Sequence, residues 1–170
     1  TQRRIRDVEE HSDSAAMFIL DLTDEPGISR ELYNDAGLLE TALNSFVTLG
    51  YDILNVESVD RANIIRSEIE VAVDTIESRY QLVRSHAPTH SLLPDIAENI
   101  QAAKKALIGT PDSLVEMVQR SLALRTQSQA QISANEERMA RLLVDMTQLQ
   151  TQVQGVAQTL RQDALASITR

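Results

Sequence analysis

Apolar residues recur along this chain at alternating steps of three and four, the spacing that gathers side chains on one face of an α-helix. The longest such stripe is Met139, Leu142, Met146, Leu149, Val153, Val156 and Leu160. A sustained three-four alternation is the seam of a coiled coil or helical bundle. Between residues 112 and 170 there is no proline and a single glycine, Gly155. One helix of about 58 residues, roughly 87 Å long at ~1.5 Å per residue, is therefore predicted there. A helix of that length must bury its stripe against something comparably long, because tertiary packing rather than propensity supplies most helical stability.

The same period marks the rest of the chain. Ile5, Val8, Ser12, Ala15, Ile19 and Leu22 share one face of a first helix over 5–22. Pro26 and Gly27 stop it, and Ser29 offers an N-cap to the next helix. That helix carries Leu32, Ala36, Leu39, Leu43, Phe46, Gly50 and Ile53, while Ala62, Ile65, Ile69, Ala72, Ile76, Tyr80 and Val83 form a further stripe offset by two positions. Either a tight turn near 55–58 or a stutter in one long helix over 30–86 accounts for the offset. The lack of glycine and proline between Tyr51 and Ala87 favours the continuous helix. Residues 85–94, with Pro88 and Pro94, read as a connection. A short helix over 94–108 follows, with Ile96, Ile100, Ala103 and Leu107 inward. Gly109 then ends it, Thr110 caps the last helix and Pro111 takes its first position.

These elements predict an all-α fold: an elongated antiparallel helical bundle of the four-helix type, in one or two stacked modules, with a long C-terminal helix and residues 1–170 as a single domain. Composition agrees. The chain is 42% hydrophobic but 3% aromatic, with no tryptophan, which suits the narrow leucine- and alanine-built core between packed helices. The first helix, about 18 residues and ~27 Å, is too short to accompany the last one along its length. Either the first helix effectively resumes after Pro26 and continues through Ile53, or a second subunit covers the remaining stripe.

Charge and residue chemistry narrow the function. A net charge of −9, with 25 acidic against 16 scattered basic residues, argues against nucleic acid, whose binding needs clustered Lys and Arg. The absence of cysteine excludes disulfides, thiolate metal sites and a thiol nucleophile. No histidine has a glutamate three residues before it, Val8, Val83 and Ala87 standing there instead, so the di-iron bundle pattern is missing. His86 and His90 flank Pro88 in a loop and read as exposed side chains rather than metal ligands. There is no phosphate-cradling glycine loop and no nucleophile elbow. No enzyme, metal or cofactor is expected. The longest apolar run is 15–20, far short of the ~20 residues of a membrane span.

One polar stretch stands out. Continuing the heptad backwards from Met139 places Asn135, Ile132, Ser128, Arg125, Ser121, Val118 and Leu114 on the seam. A guanidinium there would need a carboxylate partner or a wet pocket. Arg125 with Ser121, Ser128 and Asn135 between helices would then receive a small anion. In the simpler reading the stripe rotates onto Val115, Val118 and Leu122, and Arg125 lies at the surface. Arg61, Arg66 and Arg79 are further contributors, or else ordinary surface partners of Glu68, Glu70 and Glu77.

The basic opening Gln2-Arg3-Arg4-Ile5-Arg6, the glutamine-dense last helix running to Arg170, the segment Asn135-Glu136-Glu137-Arg138-Met139-Ala140 and the missing catalytic signatures together resemble extracytoplasmic sensor domains of bacterial transmembrane receptors. The similarity is to the helical bimodular and four-helix-bundle types, as in chemoreceptors and TorS-type sensor histidine kinases. It implies a periplasmic, dimeric, signal-sensing fragment of a longer inner-membrane protein, flanked by transmembrane helices. It further implies a small anionic ligand or a periplasmic binding protein as partner, with output through helix displacement. The alternative is a structural or adaptor bundle that binds another helix.

Overall fold

The computed structural model describes residues 2–168, with side chains through residue 165. It is all-helical among those residues: α1 (Gln2–Thr23), α2 (Arg30–Leu54), α3 (Val59–His86), α4 (Leu93–Leu107) and α5 (Leu114–Ile168). The expected run to Arg170 lies outside the described residues. The chain divides into two compact units, Thr1–Leu124 and Arg125–Arg170, and the division falls inside α5.

The first unit is a helical bundle in which α1 packs on α2 and α4, α2 on α3, and α3 more sparingly on α4. The faces that meet are the sequence stripes. In α1 the buried residues are Ile5, Val8, Ser12, Ala15, Ile19 and Leu22, and in α2 they are Leu32, Ala36, Leu39, Leu43, Phe46, Gly50 and Ile53. Ser29 caps α2 as expected, its side chain accepting the Leu32 N–H at 3.1 Å. The α3 stripe differs at one level. Val73 is buried where Ala72 was expected, and Tyr80 is half-buried with its hydroxyl donating to the Leu93 carbonyl at 3.0 Å. The larger side chain fills the core, and the phenol keeps its polar end on α4.

Residues 30–86 form two helices, not one. The Asn55 N–H turns back to the Asp52 carbonyl at 3.1 Å and its side chain donates to the Tyr51 carbonyl at 3.1 Å, closing α2. Ser58 lies in extended backbone, and its side chain accepts the Arg61 N–H at 3.2 Å to open α3. Capping side chains thus do here what glycine or proline does elsewhere. The two-position offset is the physical reason: it would put the two stripes on different faces of one rod, whereas a reversal turns both toward one core.

The start of α5 also differs. Helix α4 does end before Gly109, whose φ of 92° is the left-handed conformation a glycine stop favours. Yet Thr110 does not cap α5 and Pro111 is not its first residue. Residues 110–113 form a turn closed by Ser113 N–H to Thr110 carbonyl at 2.9 Å, and the Thr110 hydroxyl points back to the Lys105 carbonyl at 3.2 Å. Pro111 takes the second position of that turn, which its fixed φ suits equally well. The Ser113 carbonyl then accepts the Met117 N–H at 3.0 Å as α5 begins.

Close approach is concentrated at Gly50. A Cβ there would stand 2.9 Å from Ile5 Cδ1 and 3.4 Å from Leu107 Cδ1, so the start of α1 and the ends of α2 and α4 meet at this glycine. The core is otherwise aliphatic, and Phe46 is its large aromatic, 1% exposed. Beside it a void of about 10 Å³, lined by Leu43, Val73, Ile76, Ile100 and Ala103, is apolar and too small to hold a ligand.

Candidate functional site

The second unit is a single helical segment, and its apolar stripe is bare. Met139, Leu142, Met146, Leu149, Val153, Val156 and Leu160 are each 59–66% exposed, and Ile132 is 47% exposed. Leu143, Val144 and Leu165 add to the apolar surface at 57–62% exposure. Isolated exposed leucines are ordinary, but a continuous heptad stripe is not. Side chains at successive a and d positions point to one side, so the exposed groups make a narrow apolar ridge rather than scattered spots.

Each side chain of the suggested anion site lies on that helix. Ser121, Arg125, Ser128 and Asn135 are all exposed, with Ser121 in the first unit and the other three in the second. Their steps of four, three and seven residues keep them on one side of α5. Below Ser121 the buried face of α5 is Leu114, Val115 and Leu122, with Val118 half-buried. Leu114 belongs to the extended heptad seam, Val115 and Leu122 to the rotated one, and Val118 to both, while the Arg125 side chain is exposed.

Besides Leu114, Val115 and Leu122, polar contacts between residues fifty or more apart in sequence hold the base of α5. The Arg66 guanidinium on α3 reaches Glu116 at 2.9 Å and donates to the Gln119 side-chain oxygen at 2.9 Å, while Gln119 donates to Asn63 at 2.9 Å. Arg66 also pairs with Glu70 at 3.2 Å, the local partner that spacing predicts. One guanidinium thus couples α3 to two successive turns of α5, a geometry its several fixed donors suit. Arg79 pairs with Asp35 at 3.8 Å, and Glu77 accepts from Lys104 at 2.6 Å. Arg66 and Arg79 therefore bridge helices, which the neighbouring glutamates alone did not reveal.

At the ends of α1 and α3 and the starts of α2 and α4 lies a second polar group. His86 Nε2 is 3.1 Å from Asp35, the carboxylate that also faces Arg79, and His90 Nε2 is 2.9 Å from Glu25. His90 Nδ1 accepts the Leu92 N–H at 3.2 Å, so Nε2 carries the proton that points at Glu25. Elsewhere the Tyr51 hydroxyl donates to the Glu9 carboxylate, and that bond with the nearby negative charge raises the hydroxyl above the ordinary phenol range. His86 thus closes α3 rather than lying in the loop, and is exposed, whereas His90 in the α3–α4 connection is half-buried, and each holds one carboxylate. Among the described residues no three or more His, Asp or Glu side chains are gathered to hold a metal ion. None of the helices there is long and apolar enough to cross a membrane.

Compared with known proteins, the chain matches no family model, no curated protein and no solved structure.

Proposed function

We propose that this chain is the periplasmic signal-sensing segment of a bacterial transmembrane receptor, either a two-component sensor histidine kinase or a methyl-accepting chemotaxis receptor. In this reading α1–α4 form an antiparallel four-helix bundle that receives the signal, and α5 carries it toward the membrane by a small displacement. The observation that carries the reading is the way α5 is built. Its first turns are fastened into the bundle by Leu114, Val115, Leu122 and the Arg66–Glu116 pair, and the same proline-free helix then continues for a total of 55 residues. A shift at the base of such a helix is passed along it rather than absorbed.

Further contacts support the arrangement. Ile5 meets Gly50 and Leu107, Glu25 meets His90, and Asp35 meets His86, as an up-down-up-down order of the four helices requires. The recognition partner is a small anion or a periplasmic binding protein, and the domain contributes binding rather than chemistry. Ser121, Arg125, Ser128 and Asn135 are the ligand-binding side chains in the anion version, completed by another helix.

Topology tests the reading directly. The chain has no cysteine, so Ser91→Cys, at an exposed position between α3 and α4, adds a single reporter to this segment. In cells with a permeabilised outer membrane, a membrane-impermeant maleimide should label this variant without lysis of the inner membrane. Labelling that appears only after lysis overturns the periplasmic assignment. It would promote the second reading, a structural or adaptor bundle whose exposed stripe docks a helix.

The anion version has its own measurement. Sulfate, phosphate or succinate at a hundredfold excess over Kd should stabilise the wild-type protein by about 2.7 kcal/mol. Arg125→Ala should abolish that shift and leave the fold intact. A wild type whose melting none of these anions moves would instead point to a protein partner.

A further inference from the structure

The exposed ridge of α5 describes its own partner. We infer that α5 pairs with α5 of a second copy of this chain, parallel and in register, over residues 132–160. Met139, Met146, Val153 and Leu160 fall at a positions and Leu142, Leu149 and Val156 at d positions, and each is 59–66% exposed. These are the positions whose side chains insert between those of a facing helix in a two-stranded coil. At about 100 Å² of exposed apolar surface each, they offer about 700 Å² per chain, or about 1,400 Å² for a pair, within the ~1,200–2,000 Å² of stable specific interfaces.

Polar residues on the same face set the direction. In the parallel register apolar layers face apolar layers, and Asn135 faces Asn135 of the other copy, where two carboxamides can hydrogen-bond and lock the register. The competing antiparallel register sets Arg125 against Asp163 of the other copy at both ends. It also sets Asn135 against Val153 and Ser128 against Leu160, twice each. Every buried polar group left without a partner weakens association by about five- to a hundredfold. An exposed ion pair strengthens it at most about fivefold. The parallel order therefore wins, and its like-charged Arg125 and Asp163 levels sit at the two ends of the coil, where the helices can spread.

Sedimentation equilibrium of the 170-residue chain should show a reversible dimer. Leu142→Asp combined with Leu149→Asp should raise its Kd more than about 100-fold, since four carboxylates would enter the seam, while the melting of the first unit stays in place. Leu149→Cys alone should oxidise to a linked dimer faster than an equimolar mixture of Met139→Cys and Leu149→Cys forms the mixed species. A monomer at millimolar protein overturns the pairing, as does a dimer indifferent to the two aspartates. Preferential formation of the mixed species overturns the parallel order in favour of the antiparallel one. These outcomes are independent of the receptor reading, which the Ser91→Cys labelling alone decides.

Discussion

Phe46→Ala should lower the melting temperature of the first unit by roughly 10–25 °C. Truncating a buried phenylalanine costs about 3–5 kcal/mol, the lost transfer energy plus the cavity left behind, and each kcal/mol moves a domain of this size by a few degrees. Phe46 is 1% exposed and reaches the level where Val73, Ile76, Ile100 and Ala103 of α3 and α4 meet. Among the described residues Phe46 is the aromatic side chain in the fully buried core. A void already lies beside it, and the surrounding β-branched and alanine side chains have little freedom to collapse into a larger one. Total stability of such a domain is only about 5–15 kcal/mol, so the loss is a large fraction of it. Far-UV circular dichroism against temperature reads the effect. Met17→Ala, at a side chain 66% exposed, is the control and should stay within about 0.5 kcal/mol of wild type. A Phe46→Ala shift no larger than that of the control would mean the core is not packed around this ring.

Thr147→Pro should have the largest effect on the second unit and almost none on the first. Proline in a helix interior removes one backbone hydrogen bond and collides with the carbonyl four residues earlier, at a cost of about 3 kcal/mol. Here that carbonyl belongs to Leu143, which also accepts the Thr147 hydroxyl at 2.8 Å. Position 147 lies within the apolar stripe of α5, between Met146 and Leu149, and well inside the Arg125–Arg170 unit. Helicity should fall by a fraction of the second unit, with the melting of Thr1–Leu124 unchanged. In the parent receptor the variant should retain ligand affinity while its response to ligand drops tenfold or more, because a kink absorbs the displacement that a straight helix passes on. Gln148→Ala, which keeps the helix, should preserve the response. An unchanged response in Thr147→Pro would remove α5 as the transmitting element.

The two variants probe features that were legible to very different degrees in the residue order. The face of α2 from Leu32 through Phe46 to Ile53 could be listed in advance because a helix places every third or fourth residue on one side whatever surrounds it. Ser29 as a cap was legible for the same reason, since capping is settled within a few residues. The Asn55–Ser58 reversal was harder. Both its residues also occur inside helices, and only the mismatch between the stripes of α2 and α3 marked the place. Pro111 misled because its ring suits a turn and a first helical turn alike. Arg66 was visible as a charge beside Glu70, yet its partnership with Glu116 and Gln119 depends on α5 crossing α3. His86 with Asp35, and His90 with Glu25, are likewise pairs that no spacing announces.

The amino-acid order by itself determined the all-helical fold and which face of α1, α2 and α4 turns inward, because those properties follow from a local 3.6-residue period and from local stops. It also determined that α5 runs unbroken for dozens of residues with one apolar ridge. Only the tertiary structure decided that α2 and α3 reverse on each other and that Arg66 fastens the base of α5. Those outcomes depend on which surfaces meet after the chain has folded back on itself, and a period along the sequence holds no information about the surface it will face.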